Sequence, residues 1–253
     1  MSGRLTVIGT GPGNPDQMTP QARAAIEAAS DFFGYKPYLE RLQVRPDQTL
    51  HASDNRKELD RAKAALDLAV SGKHVAVISG GDAGVFAMAA AMCEAIEHGP
   101  NAWRDLEFFV VPGVTAMLAV AARVGAPLGH DFCTMSLSDN LKPWELIENR
   151  LRAAASAGFV IALYNPISKA RPHQLGQAFE ILRSILPATV PVVFGRAAGR
   201  PDEHMRIVPL GEADPAMADM ATCILIGSPE TRLIERSGRE PLVYSPRSVK
   251  AAT

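Results

Sequence analysis

Cysteine is scarce and scattered. Cys93, Cys133 and Cys223 share no paired spacing, so a zinc site, an iron–sulfur cluster or a disulfide framework has no set of ligands to draw on. Each lies in an apolar run (Ala-Met-Cys-Glu-Ala, Asp-Phe-Cys-Thr-Met, Ala-Thr-Cys-Ile-Leu), which predicts small buried hydrophobes in a reducing compartment. An excess of one charge is also missing. Lys plus Arg number 26 and Asp plus Glu 27, a formal net charge of −1, so no overall field draws the chain to nucleic acid or an anionic membrane. No apolar run approaches the ~20 residues of a membrane span. No basic flank followed by an apolar core opens the chain. The expectation is a cytoplasmic protein with no membrane and no nucleic-acid partner. Internal repeats, low-complexity segments, a Gly-Lys-Ser/Thr phosphate loop and an evident catalytic dyad are absent as well.

What is present is ordinary globular material. The 253 residues are 47% hydrophobic and 21% charged, enough for one large domain or two small ones with a core that needs no staples. Short β-rich runs alternate with helical stretches. Strands are expected at 4–8, 31–35, 74–78, 106–111, 133–137, 159–164, 190–195, 205–208 and 222–226, with an edge strand at 231–235. Thr19-Pro20 reads as an N-cap followed by proline at the first helical position. A second helix is expected over 53–71, with Leu59, Ala62, Leu66 and Ala69 on one face and Gly72 as its stop. Further helices are expected at 84–98, 115–124, 143–157 and 172–186. The tail after Ser237 is polar and proline-containing, and little order is expected there. This alternation implies an α/β architecture. The boundary falls near residues 112–115, giving domains of 1–113 and 114–253.

Glycine marks the places where chemistry is expected. Gly9-Thr10-Gly11-Pro12-Gly13 follows the first strand, and glycine lets backbone approach a ligand closely. The spacing is not the Gly-x-Gly-x-x-Gly of a dinucleotide fold, and Pro12 removes an N–H that a pyrophosphate would want. A tight turn with no ligand explains this loop equally well. Four more small-residue loops follow strands: Ser79-Gly80-Gly81-Asp82-Ala83-Gly84-Val85-Phe86, Val111-Pro112-Gly113-Val114-Thr115-Ala116, Tyr164-Asn165-Pro166, and Gly195-Arg196-Ala197-Ala198-Gly199-Arg200. In open α/β sheets ligands bind at the carboxyl ends of strands. Asp82 there would accept hydrogen bonds from a ribose or an amino group, or simply cap the next helix.

In this order the loops resemble the tetrapyrrole methylase family over residues 3–236. Also carrying the likeness are Gly34-Tyr35-Lys36-Pro37-Tyr38-Leu39, Gly125-Ala126-Pro127-Leu128-Gly129-His130-Asp131-Phe132, Ser136-Leu137-Ser138-Asp139 leading to Pro143-Trp144-Glu145, and Ser168-Lys169 with Arg171. These segments are similar to the branch of that family acting at carbon 17 of precorrin-3B, with ring contraction to precorrin-4 in cobalamin biosynthesis. The resemblance implies two α/β domains with mixed sheets and S-adenosylmethionine in a cleft between them, a homodimer, and S-adenosylhomocysteine as product. It implies donor contacts at Gly81, Asp82, Val85, Thr115, Ala116, Asn165 and Ala198, with Thr222 a further candidate. It implies a tetrapyrrole-facing role for the loop of Gly11, Pro12 and Gly13.

Methyl transfer from a sulfonium releases a neutral leaving group, so positioning can carry most of the catalysis. Ring contraction needs proton handling, for which Tyr35, Lys36, Asp139 and His130 are the candidates. The substrate's carboxylates want cations, and Lys169, Arg171, Arg196 and Arg200 stand beside the loops, with His173 nearby. Each, taken singly, is equally a solvated surface charge. Three other readings stay open: the cobalt-containing substrate of the anaerobic branch, a non-catalytic nucleotide-binding module, and a nicotinamide-dependent oxidoreductase. The loop spacing and Pro12 weigh against the last.

Overall fold

The computed structural model describes residues 3–54 and 57–248. The chain divides into two compact units between Ala116 and Met117.

The first unit holds β1 (Arg4–Gly9), α1 (Pro20–Ala28), β2 (Asp31–Tyr35), α2 (Lys36–Leu39), β3 (Thr49–Ser53), α3 (Glu58–Val70), β4 (His74–Ser79), α4 (Met88–His98), α5 (Asn101–Arg104) and β5 (Glu107–Val111). Its sheet has the order β3-β2-β4-β1-β5, and every pairing is parallel. A parallel sheet covered on both faces needs nearly continuous apolar strands, and Leu5, Val7, Ile8, Val75, Ala76, Val77 and Ile78 are all buried. The Thr19 hydroxyl caps α1 by accepting the Ala22 N–H at 3.1 Å. Trp103 of α5 donates its indole N–H to Asp67 of α3 at 3.0 Å.

Several expectations need correction here. The helix expected from residue 53 begins at Glu58, and Ser53 instead ends β3, an edge strand read from sequence as loop and helix start. Residues 55–56 of that expected helix lie outside the described residues. The buried stripe of α3 runs through Arg61, Ala62, Ala65, Leu66 and Ala69, which leaves Leu59 at its margin, 52% exposed. Gly72 does stop this helix, at φ 93°. α4 starts at Met88 rather than Gly84, because the intervening loop takes its own shape. Phe86 is left-handed at φ 50° and the Ser79 hydroxyl accepts the Met88 N–H. Cys93 is exposed, since Met88, Ala89, Met92 and Ala95 occupy the inner face of α4. Cys133 is half-buried, and Cys223 is buried with its thiol pushed up to about 12 by desolvation.

The second unit holds most of α6 (Ala116–Val124), then β6 (Gly125–Ala126), β7 (Phe132–Ser136), α7 (Trp144–Ser156), β8 (Val160–Tyr164), α8 (Gln174–Arg183), β9 (Pro191–Arg196), β10 (His204–Pro209), β11 (Thr222–Ile226), β12 (Arg232–Arg236) and β13 (Arg239–Tyr244). Its main sheet has the order β10-β9-β11-β8-β7 and is mixed. β7 and β8 are parallel and the other pairs antiparallel. Leu137, Ile147, Leu151, Phe179, Leu182, Phe194 and Ile224 fill its core. The tail is not irregular. β13 pairs antiparallel with β12 and parallel with β6, and Val243 is buried. Ser245 completes the lock, donating its hydroxyl to the Pro127 carbonyl at 2.6 Å and its N–H to Ala126. Partners more than a hundred residues upstream supply what the tail's own composition lacks.

Among the described residues, no helix is long and apolar enough to cross a membrane.

Candidate functional site

In the first unit the strand order puts β4, β1 and β5 side by side and parallel, so the first three glycine loops emerge together at one sheet edge. They are joined backbone to backbone. The Gly11 N–H donates to the Gly81 carbonyl at 3.0 Å, and the Gly81 N–H donates back to Gly11 at 2.7 Å. The Thr10 N–H and hydroxyl both donate to the Ser79 carbonyl. No side chain fits between. A Cβ on Gly9 would lie 2.8 Å from Gly113 N and from Gly81 O, and one on Gly113 would lie 2.3 Å from Gly81 O.

Asp82 ties this bundle together. Its carboxylate accepts the Gly84 N–H at 2.8 Å and the Gly113 N–H at 2.9 Å. It is therefore not the cap of α4, whose N-cap position is Ala87. Gly81 at φ 69° faces Thr115 and Ala116, with the Thr115 Cα 3.7 Å from where a Cβ would stand. The residues Gly81, Asp82, Thr115 and Ala116 are thus brought together. Val85 is half-buried in the same loop. Tyr35 ends β2 and packs edge-to-face on Tyr38 at 5.4 Å. Tyr38 covers Gly80, whose Cβ would come within 2.9 Å of the ring. Tyr38 was not singled out as a site residue from sequence. Lys36 is exposed and pairs with Glu40 at 3.8 Å.

In the second unit β7, β8 and β9 run in one direction, with the antiparallel β11 between the last two. Ser136, Asn165, Ala197 and the start of β11 at Thr222 consequently share one sheet edge. Side chains hold this edge. Asn165 is left-handed at φ 51°, and its Nδ2 donates to the buried Ser136 hydroxyl at 2.9 Å. Arg171 is buried and donates to the carbonyls of Asn165 at 3.0 Å and Leu137 at 3.2 Å. Gln174 donates to Asp139 at 2.9 Å.

Ala197 is also left-handed, at φ 50°, and Ala198 is buried. Arg196 pairs with Asp202 at 2.8 Å and Asp219 at 2.7 Å. The hydrogen bond to Asp202, then that to Asp219, raises the guanidinium pKa. Burial alone would raise the Asp219 carboxyl, but bonds from Arg196 and Thr222 hold it below its ordinary value. Arg200 donates its N–H back to Ala197, and Lys169 and His173 are exposed. His130 precedes the start of β7, at the opposite edge of this sheet from Ser136 and Asn165. The structure therefore separates His130 from Asp139.

Phe86, Asn165 and Ala197 are the non-glycine residues with left-handed backbone among those described. Each lies in one of the loops marked from sequence, and such strain gathers at functional sites. Ser136 and Arg171, which bond to Asn165, and Glu203 and Asp219, which bond to Gly199 and Ala221 beside the Ala197 loop, were missed or assigned other roles. Each bonds a residue far off in sequence, Ser136 to Asn165, Arg171 to Leu137, Asp219 to Arg196 and Glu203 to Arg123, and no local signal marks those pairings.

Residues 4–214 match the family model of tetrapyrrole (corrin/porphyrin) methylases. The chain is 67% identical to the precorrin-3B C(17)-methyltransferase of a Sinorhizobium species, over the whole of both chains. It is 38% identical to a probable cobalt-factor III C(17)-methyltransferase of Salmonella typhimurium, covering 96% of this chain and 98% of that one. The crystal structure of the methyltransferase CobJ superposes with a TM-score of 0.92 at 50% identity, covering 97% of this chain and 100% of the other. The glycine-stitched parallel sheet, the mixed sheet after it in the chain and the loops at their edges are accounted for together: the chain belongs to the tetrapyrrole methylase family.

Proposed function

We propose that this chain methylates carbon 17 of precorrin-3B with S-adenosylmethionine and contracts the macrocycle to precorrin-4, releasing S-adenosylhomocysteine. The observation that carries the reading is the full-length identity to the Sinorhizobium enzyme. The loop geometry supports it, with small residues and left-handed turns presenting backbone groups at sheet edges.

In the transfer the methyl carbon moves from the sulfonium sulfur to carbon 17, and the electron pair of the broken bond stays on sulfur. The leaving sulfide is neutral, so the protein's task is to hold the two reactants in line. On this reading the donor contacts are Gly81, Asp82, Val85, Thr115, Ala116, Asn165 and Ala198, with Thr222 a further candidate. Asp82 already accepts two backbone N–H groups, and a carboxylate has lone pairs left for a ligand hydroxyl. Pro12 and Gly13 contact the tetrapyrrole, while Gly11, whose N–H and C=O bind Gly81, shapes their loop. Lys169, which is exposed, and Arg200 are the side chains proposed for substrate carboxylates. Arg171 and Arg196 act instead as braces, because each already bonds protein acceptors. For the proton transfers of ring contraction, Tyr35 and Asp139 stand beside the loops, Lys36 is exposed, and His130 lies at the far sheet edge. The enzyme is a cytoplasmic homodimer in this proposal.

Incubation with precorrin-3B and methyl-labelled S-adenosylmethionine should place the label in the tetrapyrrole and yield precorrin-4. No incorporation, while the Sinorhizobium enzyme run in parallel is active, would sink the proposal. The likeness to the Salmonella protein favours a second reading, the cobalt-containing substrate. Offering both substrates side by side separates them, and we expect at least tenfold faster turnover of the metal-free one.

A further inference from the structure

We infer that Glu203, anchored by Arg123, is a positioning residue that holds the loop Ala197–Gly199 in its donor-binding shape; this rests on the assignment of Ala198 to the donor site. Left-handed backbone is costly for an L-residue with a Cβ, so Ala197 at φ 50° needs an external hold. Gly199 follows at φ 78°, and its N–H donates to Glu203 Oε2 at 2.5 Å. The other carboxylate oxygen accepts from Arg123 Nε at 2.6 Å. The pair is partly shielded, with side-chain exposures of 38% for Arg123 and 24% for Glu203.

Arg123 is a rigid anchor because α6 is fixed to the sheet along its length. The Tyr164 hydroxyl accepts the Met117 N–H at 2.9 Å near the start of the helix. One turn later Val120 presses on Gly195 of β9, so closely that a Cβ there would lie 2.2 Å from Val120 Cγ2. Arg123 is the next residue along that face, three positions on. Glu203 thus hooks a strained loop to a helix that is itself clamped to the strand the loop leaves. The hook is local. Ala197 keeps its N–H bond to Ala221 and its carbonyl bond from Arg200 without Glu203, so removing the carboxylate should loosen the loop without unfolding the unit.

The test titrates S-adenosylhomocysteine calorimetrically into the full-length wild type and the Glu203→Ala, Glu203→Gln and Arg123→Met variants. Wild type should bind. Glu203→Ala should bind at least tenfold more weakly. Glu203→Gln, which keeps a carbonyl acceptor for Gly199, should recover part of that loss, and Arg123→Met should fall between. In turnover assays the KM for the donor should rise while the KM for the tetrapyrrole holds. Failure of wild type to bind would defeat the donor-site assignment itself. Wild-type binding with Glu203→Ala within twofold of it, or equal losses of donor and tetrapyrrole affinity, would overturn the role of Glu203. If Glu203→Ala does not fold, affinities within twofold of wild type in both other variants overturn it equally.

Discussion

Where β1, β4 and β5 end, three loops meet with hardly a side chain between them. Where β7, β8 and β9 end, side chains pin the loops. The first arrangement uses glycine to let main chains touch, and its hydrogen bonds run from Gly11 to Gly81 and from Thr10 to Ser79. The second uses Arg171, Asn165, Asp219 and Glu203, with Arg196 and Arg123 as counter-charges. A close-packed backbone joint tolerates no added atom, and apart from the Asp82 carboxylate the groups that bond across it do not titrate. A polar clamp tolerates changes of volume but depends on every partner keeping its charge. One protein thus solves the same problem, loops fixed at a sheet edge, by two kinds of chemistry.

The sharpest way to break this contrast is Gly113→Ala. A methyl group 2.3 Å from the Gly81 carbonyl oxygen and 2.7 Å from that of Gly9 must push two backbones apart. Overpacking of this kind costs about 3 kcal/mol or more, read as a lower urea midpoint with donor binding lost. A loss under about 1 kcal/mol would show the joint to be softer than the geometry implies.

Arg171→Met probes the second unit. It leaves the Asn165 and Leu137 carbonyls without their buried donor, at a cost of about 2 kcal/mol. Donor affinity should weaken with it as Asn165 relaxes. If stability holds and only the KM for the tetrapyrrole rises, Arg171 is a substrate ligand after all.

Acid gives the smallest effect and separates the units. Desolvation would raise the Glu203 and Asp219 carboxyls, but arginine and the other hydrogen-bond donors together, the Gly199 N–H for Glu203 and Thr222 and the Ala221 N–H for Asp219, hold both below their ordinary values in the folded protein. A lowered carboxyl contributes stability in full above its unfolded pKa, about 4, and loses it as pH falls through the folded value. Below that range the Gly199 and Ala221 amides, which donate to these carboxylates, should lose hydrogen-exchange protection after correction for intrinsic rates. The Gly11 and Gly81 amides, bonded to backbone carbonyls, should keep theirs. Two carboxyls of the first unit are also lowered, Asp31 by His51 and Ser30 against desolvation and Asp47 by Arg45, but Asp31 starts β2 and Asp47 precedes the start of β3, at the sheet edge away from these loops. Simultaneous loss at all four amides would erase the distinction.

The alternation of apolar runs with capped helices was enough to find the α/β class and the strands at 4–8, 31–35 and 222–226 to within a residue. Those signals are local: a strand's own side chains, a threonine before a proline, a glycine after a last turn. β3 and β13 escaped because their partners, β2 and β6, decide them, and neither segment is apolar enough to announce itself. The glycine loops were conspicuous in sequence, but their purpose was not. Read singly, Gly9-Thr10-Gly11-Pro12-Gly13 suggests a cradle for a ligand, and only the strand order reveals that two of its glycines are taken up by contact with Gly81 and Gly113.

The sequence by itself determined the fold class and the positions of the loops, because periodicity, capping and glycine spacing are written in neighbouring residues, and the family followed from the likeness of those loops to known members. The tertiary structure alone decided which residues brace those loops, since Glu203 meets Arg123 across 80 positions and Arg171 meets Leu137 across 34. It also parted His130 from Asp139, because the direction of β7 carries the chain from one sheet edge, where His130 enters, to the opposite edge, where Asp139 leaves.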